Sequence, residues 1–216
     1  MTQVAQFEFS PFAENTYVVY DDSGDCAIFD PGCYTEEERA ALQDYIQENK
    51  LRVVRLINTH CHLDHVFGNA FVHRTWGVLP ELHRDELPLL EHFPAVSRMY
   101  GIPDVEPSPM PQHFLEAGEI LEFGQTRLRI LFTPGHSPGS LSFYCPDAGF
   151  VLAGDVLFLG SIGRTDLPGG DYDTLIAGVR SQLFTLPGET IVYPGHGPAT
   201  TIRHEKEYNP FFSDEL

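Results

Sequence analysis

The stretch Thr59-His60-Cys61-His62-Leu63-Asp64-His65 decides how the rest of this chain is read, because three imidazoles and a carboxylate fall within six positions directly after the apolar run Val53–Ile57. Imidazole and carboxylate both ligate first-row metals at neutral pH, and their close alternation lets one loop present donors to two adjacent ions. A lone histidine is ordinarily a hydrogen-bonded polar side chain; that reading does not account for a cluster this dense. Cys61 alternates with the donors, so on an extended loop it points the other way and is expected to pack inward.

Working outward, three more donors stand in the same local setting. His136 follows the apolar run Leu128–Phe132, Asp155 follows Phe150–Ala153, and His196 follows Ile191–Tyr193, each with a glycine (Gly135, Gly154, Gly195) immediately before it. Glycine permits tight turns and close approach of backbones, so donors at the ends of several strands can converge on one edge of a sheet. His73, His83, His92, His113 and His204 lack this setting and are read as surface or helix residues.

The surrounding pattern alternates strands and helices. Strands are expected at Val4–Phe9, Thr16–Tyr20 and Cys26–Phe29, with Asp21 to Gly24 turning a hairpin between the last two. Thr35 and Glu38 form a capping-box signature ahead of an amphipathic helix reaching Asn49. Further helices are predicted over Gly68–Trp76, around Asp85–Phe93 and from Asp173 to Leu183, and further strands at Glu119–Phe123, Thr126–Phe132, Leu141–Tyr144, Phe150–Ala153 and Ile191–Tyr193. The proline-rich stretch Ile102–Pro111 reads as a loop, and Trp76 and the many phenylalanines read as core. The class is α/β or α+β, in a single domain over residues 1–216.

Composition narrows the function. With 42% apolar residues in 216, the chain can bury a sizeable core. A formal net charge of −18 repels phosphate backbones and anionic lipid, which argues against nucleic-acid and membrane partners. The segment Met1 to Ser10 has no basic residue and no run approaches a membrane span, so a soluble cytoplasmic protein is expected. Cys26, Cys33, Cys61 and Cys145 are scattered without a Cys-x-x-Cys pair, which indicates neither a zinc ribbon nor a redox dithiol.

The motif His60-x-His62-x-Asp64-His65, followed by His136, Asp155 and His196, resembles that of the metallo-β-lactamase superfamily. The resemblance spans nearly the whole chain and implies an αββα sandwich with a dinuclear site. It implies that His60, His62 and His136 hold one metal and that Asp64, His65 and His196 hold the second, with Asp155 bridging. Asp30, in Asp30-Pro31-Gly32, matches a family element that orients ligands. Two divalent metal ions are implied, zinc first with iron or manganese as alternatives. Such a pair lowers the pKa of bound water from about 15.7 to about 7, which makes hydrolysis feasible at neutral pH; Asp64 is the candidate that also guides the proton.

The segments Thr133 to Ser140, Gly154 to Phe158, Gly163-Arg164-Thr165-Asp166 and the tail Glu205 to Phe211 look like the short form of the hydroxyacylglutathione hydrolase (glyoxalase II) group. The implied substrate is S-D-lactoylglutathione or a related small-molecule thioester, with Arg164 as the candidate substrate-binding cation. The rival is the persulfide dioxygenase group, whose single iron would sit on His60, His136 and Asp155; a facial two-His, one-carboxylate set suits iron and O₂. Lactonases of the same fold share the donor set. A structural metal module is the non-enzymatic alternative, although closed structural zinc sites use four ligands and not seven.

Overall fold

The computed structural model describes residues 1–212, so the last four residues of the expected 1–216 domain, 213–216, lie outside the described residues. The first half of the chain runs β1 (Gln3–Phe9), β2 (Glu14–Tyr20), β3 (Asp25–Phe29), α1 (Glu36–Glu48), β4 (Arg52–Ile57), α2 (Leu63–Val66), α3 (Asn69–Trp76), β5 (Pro80–Leu82), α4 (Leu87–Met99) and β6 (His113–Phe114). The second half runs β7 (Ile120–Phe123), β8 (Thr126–Phe132), β9 (Leu141–Cys145), β10 (Phe150–Gly154), β11 (Leu157–Phe158), β12 (Ser161–Ile162), α5 (Tyr172–Gly178), β13 (Ile191–Pro194), β14 (Thr200–Thr201) and α6 (Ile202–Tyr208). Each half builds one six-stranded sheet, ordered β1-β2-β3-β4-β5-β6 and β14-β13-β10-β9-β8-β7, and β11 and β12 pair as a small ribbon.

Alternation along the strands sorts side chains into layers. Tyr17, Val19, Ala27 and Phe29 of the first sheet meet Leu128, Ile130, Leu141, Phe143, Phe150 and Leu152 of the second in one buried core. Their neighbours point the opposite way. Val18, Cys26 and Ile28 pack with Leu42 and Ile46 of α1 and with Phe71 and Val72 of α3. On the other side Tyr144, Val151 and Ala153 pack with Leu175 of α5 and Ile202 of α6. Helices therefore cover both outer faces of two face-to-face sheets, which is the αββα sandwich expected.

The local signals act as read. Thr35 caps α1, with the reciprocal Glu38 contact also formed. Differences concern short or interrupted elements. Helix α4 continues past the expected Phe93, through Pro94, to Met99. The helix expected over Asp173–Leu183 is α-helical only to Gly178 and completes itself as a π-turn over Val179–Leu183. Strands β5, β6, β11, β12 and β14 have two or three residues, too few to show a period. Helix α6 carries its own N-cap at Thr201, whose hydroxyl accepts from the His204 amide. No helix among the described residues is long and apolar enough to cross a membrane.

Strands β3 and β4 are parallel neighbours, as are β10 and β13, while β8 runs parallel to β10 across β9. Their C-terminal ends reach one edge of the sandwich. Backbone bonds stitch the sheets there: Asn15 N–H donates to Gly195 O at 2.7 Å and Leu141 N–H to Thr59 O at 2.9 Å. The Tyr17 hydroxyl and Asn15 amide group add bonds to Pro194 O, at 2.7 and 3.0 Å.

Candidate metal centre

Every donor singled out in the sequence lies at this edge. His60 and His62 stand in the loop after β4, Asp64 and His65 on the single turn α2, His136 between β8 and β9, Asp155 after β10 and His196 after β13. Two groups form. The donor atoms of His60, His62 and His136 lie within 4.8 Å of one another, as do those of Asp64, His65 and His196. Asp155 faces both, with Oδ2 3.5 Å from His136 Nε2 and 3.5 Å from His196 Nε2, and Oδ1 3.5 Å from His65 Nε2.

The bonds made by the far ring nitrogens fix which nitrogen His60, His136 and His196 offer. The Thr59 hydroxyl donates to Asp30 Oδ2 at 2.6 Å, so it can only accept from His60 Nδ1, 3.1 Å away. His136 Nδ1 lies 2.8 Å from Arg164 O, and His196 Nδ1 lies 3.1 Å from Ala13 O; carbonyls only accept, so both Nδ1 atoms carry protons. The Nε2 lone pairs of His60 and His136 then face each other at 3.2 Å, and His62 Nδ1 lies 2.8 Å from the same His136 nitrogen. Opposed lone pairs in a buried site repel unless a cation stands among them. His65 Nδ1 and Nε2 and Asp155 Oδ1 are likewise buried without a hydrogen-bond partner. The donor set fits divalent cations on the chemistry of its own atoms.

Protonation follows the same division. Burial, reinforced by the neighbouring imidazoles, holds His60 well below its ordinary pKa and His62 down at about 3, and burial lowers His136 as well. These three are neutral, as ligands must be. Burial acts to raise Asp155 and Asp64, but the adjacent histidines, His65 first, outweigh it and keep both carboxylates ionised.

Asp30 lies beside the cluster, between Thr59 and His65. It adopts φ +46°, accepts from the Thr59 amide at 2.7 Å and lies 3.2 Å from His65 Nδ1. Two further buried carboxylates have no counterpart in the sequence reading. Glu86 accepts from Cys61 N–H at 2.7 Å, Ser137 Oγ at 2.7 Å and Gly139 N–H at 2.6 Å, and so ties the His62 loop to the His136 loop. Glu14, fully buried, binds the Thr16 hydroxyl and lies 3.9 Å from His65 Nδ1. Cys61 packs inward beside Leu63, Val66 and Phe67, as alternation predicted. Arg164 stands at the rim, with Nε and Nη2 each 2.7 Å from an Asp166 carboxylate oxygen. The reading of the phenylalanines as core needs correction: Phe12 and Phe158 line the cavity above the centre, and Phe211 is exposed.

Residues 10–196 match the model of the metallo-β-lactamase superfamily. Hydroxyacylglutathione hydrolase GloC of Haemophilus influenzae is 38% identical over 94% of this chain and 95% of its own. The mitochondrial persulfide dioxygenase ETHE1 of Bos taurus is 30% identical over 90% of this chain and 70% of its own. Among solved structures, BLEG-1 B3 metallo-β-lactamase superposes with a TM-score of 0.90 at 37% identity, covering 98% of this chain and all of that one. TTHA1623 in a di-iron-bound form superposes with a TM-score of 0.86 at 38% identity, covering 96% and 99%. With the sandwich, the converging donors and these matches agreeing over nearly its full length, the chain belongs to the metallo-β-lactamase superfamily.

Proposed function

We propose that this chain is a dinuclear metal-dependent hydrolase that cleaves thioesters in the manner of the hydroxyacylglutathione hydrolases. His60, His62 and His136 would hold one divalent cation, Asp64, His65 and His196 the second, with Asp155 between them. The observation that carries the reading is the position of Asp155, 3.5 Å from histidines of both groups. Divalent cations supply Lewis acidity and lower the pKa of water to about 7. The chain does the rest. Thr59, Arg164 O and the carbonyls of Phe12 and Ala13 keep protons on the far imidazole nitrogens and leave the near ones free. The Asp64 carboxylate, on the cavity wall and 3.2 Å from His196 Nε2, takes the proton of the attacking water. Zinc, iron and manganese all suit imidazole with carboxylate, zinc being the first choice.

A second reading is persulfide oxidation at a single iron on His60, His136 and Asp155, favoured by the similarity to a persulfide dioxygenase. It leaves Asp64, His65 and His196 clustered without a task. Metal content per chain, measured on protein purified without added metal and beside turnover, separates the two. About two metals with kcat/KM above about 10⁴ M⁻¹s⁻¹ on an acyl thioester is the expected result. One iron per chain with oxygen uptake on a persulfide would overturn it.

A further inference from the structure

Above the donors lies a cavity of about 660 Å³, within the range of small-molecule sites. One wall is a stripe of α4, Leu89, Phe93 and Val96, spaced to share a helix face. Phe12 comes from the β1–β2 turn, and Phe158 and Leu167 from beyond β10. Apart from the proposed ligands, Arg164 is the one charged side chain on the wall among the described residues. Its guanidinium is already held edge-on by both oxygens of Asp166. A glutathione thioester would bring two carboxylates and one ammonium to a chain of net charge −18, and the one cationic side chain on the wall among the described residues is already paired. An alkyl or aryl chain, by contrast, would replace water along the whole α4 wall.

Resting on the thioesterase reading, we infer that the preferred substrate carries an apolar acyl chain, seated against α4, Phe12, Phe158 and Leu167, and that its thiol part is recognised without ionic contacts. Specificity then comes from buried hydrocarbon. Each methylene that leaves water is worth about a fourfold gain.

The test uses the metal-loaded enzyme with N-acetylcysteamine thioesters of acetyl, butanoyl and hexanoyl groups, beside S-D-lactoylglutathione. We expect kcat/KM to climb with chain length by up to about fourfold per methylene. Leu89→Gln and Phe158→Ser, on separate elements, each cut the hexanoyl-to-acetyl ratio about tenfold. Raising the ionic strength from about 0.05 to about 0.5 M leaves KM for S-D-lactoylglutathione within about twofold, as recognition without ionic contacts implies. Calorimetric titration with S-hexyl and S-ethyl N-acetylcysteamine thioethers, which cannot be cleaved, gives a readout independent of turnover; the hexyl compound should bind tighter, with a negative heat-capacity change. A flat series with fast S-D-lactoylglutathione turnover and a salt-dependent KM overturns the apolar preference while keeping the thioesterase. Tight hexyl binding without turnover of any thioester supports the apolar pocket and overturns the thioesterase. Equal binding of the two thioethers overturns the pocket outright.

Discussion

A histidine is made into a ligand by whatever its other nitrogen touches, and in this protein those partners are not interchangeable. Asp30 is the anchor of the chain of bonds: it accepts from the Thr59 amide and hydroxyl at 2.7 and 2.6 Å, and the hydroxyl oxygen in turn accepts from His60 Nδ1–H. Asp30→Ala therefore frees Thr59 to donate toward His60 Nδ1, which would shift the proton to Nε2 and turn a donor nitrogen away from its task. We predict a 10- to 100-fold loss of metal affinity, the usual cost of removing an orienting partner, measured by competition with a chromogenic chelator; unchanged affinity would detach Asp30 from the centre. At this scale the sequence was informative wherever residue type implied chemistry. His60, His62, Asp64, His65, His136, Asp155, His196 and Asp30, singled out by type and spacing, come together at one edge. Glu86 and Glu14 were invisible, because a lone glutamate announces nothing until folding brings amide donors to it, as Cys61 and Gly139 are brought to Glu86.

Elements deliver these residues through turns that tolerate little. Gly135, directly before His136, adopts φ +125°, and a Cβ there would meet the backbone nitrogen of Leu175 in α5 at 2.4 Å. Backbone cannot step aside as a flexible side chain could. Gly135→Ala should force the β8–β9 loop off α5, with strain and overpacking together costing about 2–4 kcal/mol. Denaturant midpoints of the metal-free protein report that cost, and metal content reports the displacement of His136. A variant of full stability and full occupancy would show that the contact is softer than the geometry implies. Elements long enough to repeat a pattern were legible: Thr35 and Glu38 announced α1, and the apolar runs announced β3, β4, β8 and β10. The end of α4 was not, since Pro94 reads as a stop signal although the helix runs on to Met99. That extension carries Val96 onto the cavity wall, so the misjudged stretch is one that shapes the proposed acyl pocket.

Across the whole molecule, two fastenings hold the sheets together at opposite edges. Far from the donors, Asp21 in the β2–β3 turn accepts from Ser23 N–H at 2.8 Å and reaches across to Gln125 N–H at 2.7 Å and Thr126 Oγ1 at 2.8 Å beside the β7–β8 turn. Burial acts to raise this carboxyl, but those bonds outweigh it and bring it from 3.8 to about 2. A depressed folded pKa contributes stability above the unfolded value and loses it as pH falls through the folded one. Asp21→Ala should thus cost about 1–3 kcal/mol near neutrality, with the gap to the parent protein narrowing between about pH 4 and pH 2. That the sheets face each other at all was legible through the family motif and not through periodicity, which cannot say which strands share a sheet. At the other edge the centre adds to the backbone bonds from Asn15 to Gly195 and from Leu141 to Thr59. Opposed imidazole lone pairs and the unpartnered Asp155 Oδ1 make the empty site unfavourable, and cations that bind only the folded state relieve it. At about a thousandfold excess over Kd such binding adds about 4 kcal/mol, so chelation should lower Tm by about 8–16 °C in a chain of this size. Thermal melts before and after chelation, and after refilling with zinc, manganese or iron, measure it; a shift below about 2 °C would contradict a metal centre that supports the fold. Because the two fastenings share no residue and lie at opposite edges, their effects should add to within about 0.5 kcal/mol, and Asp21→Ala should show the same chelation shift as the parent protein.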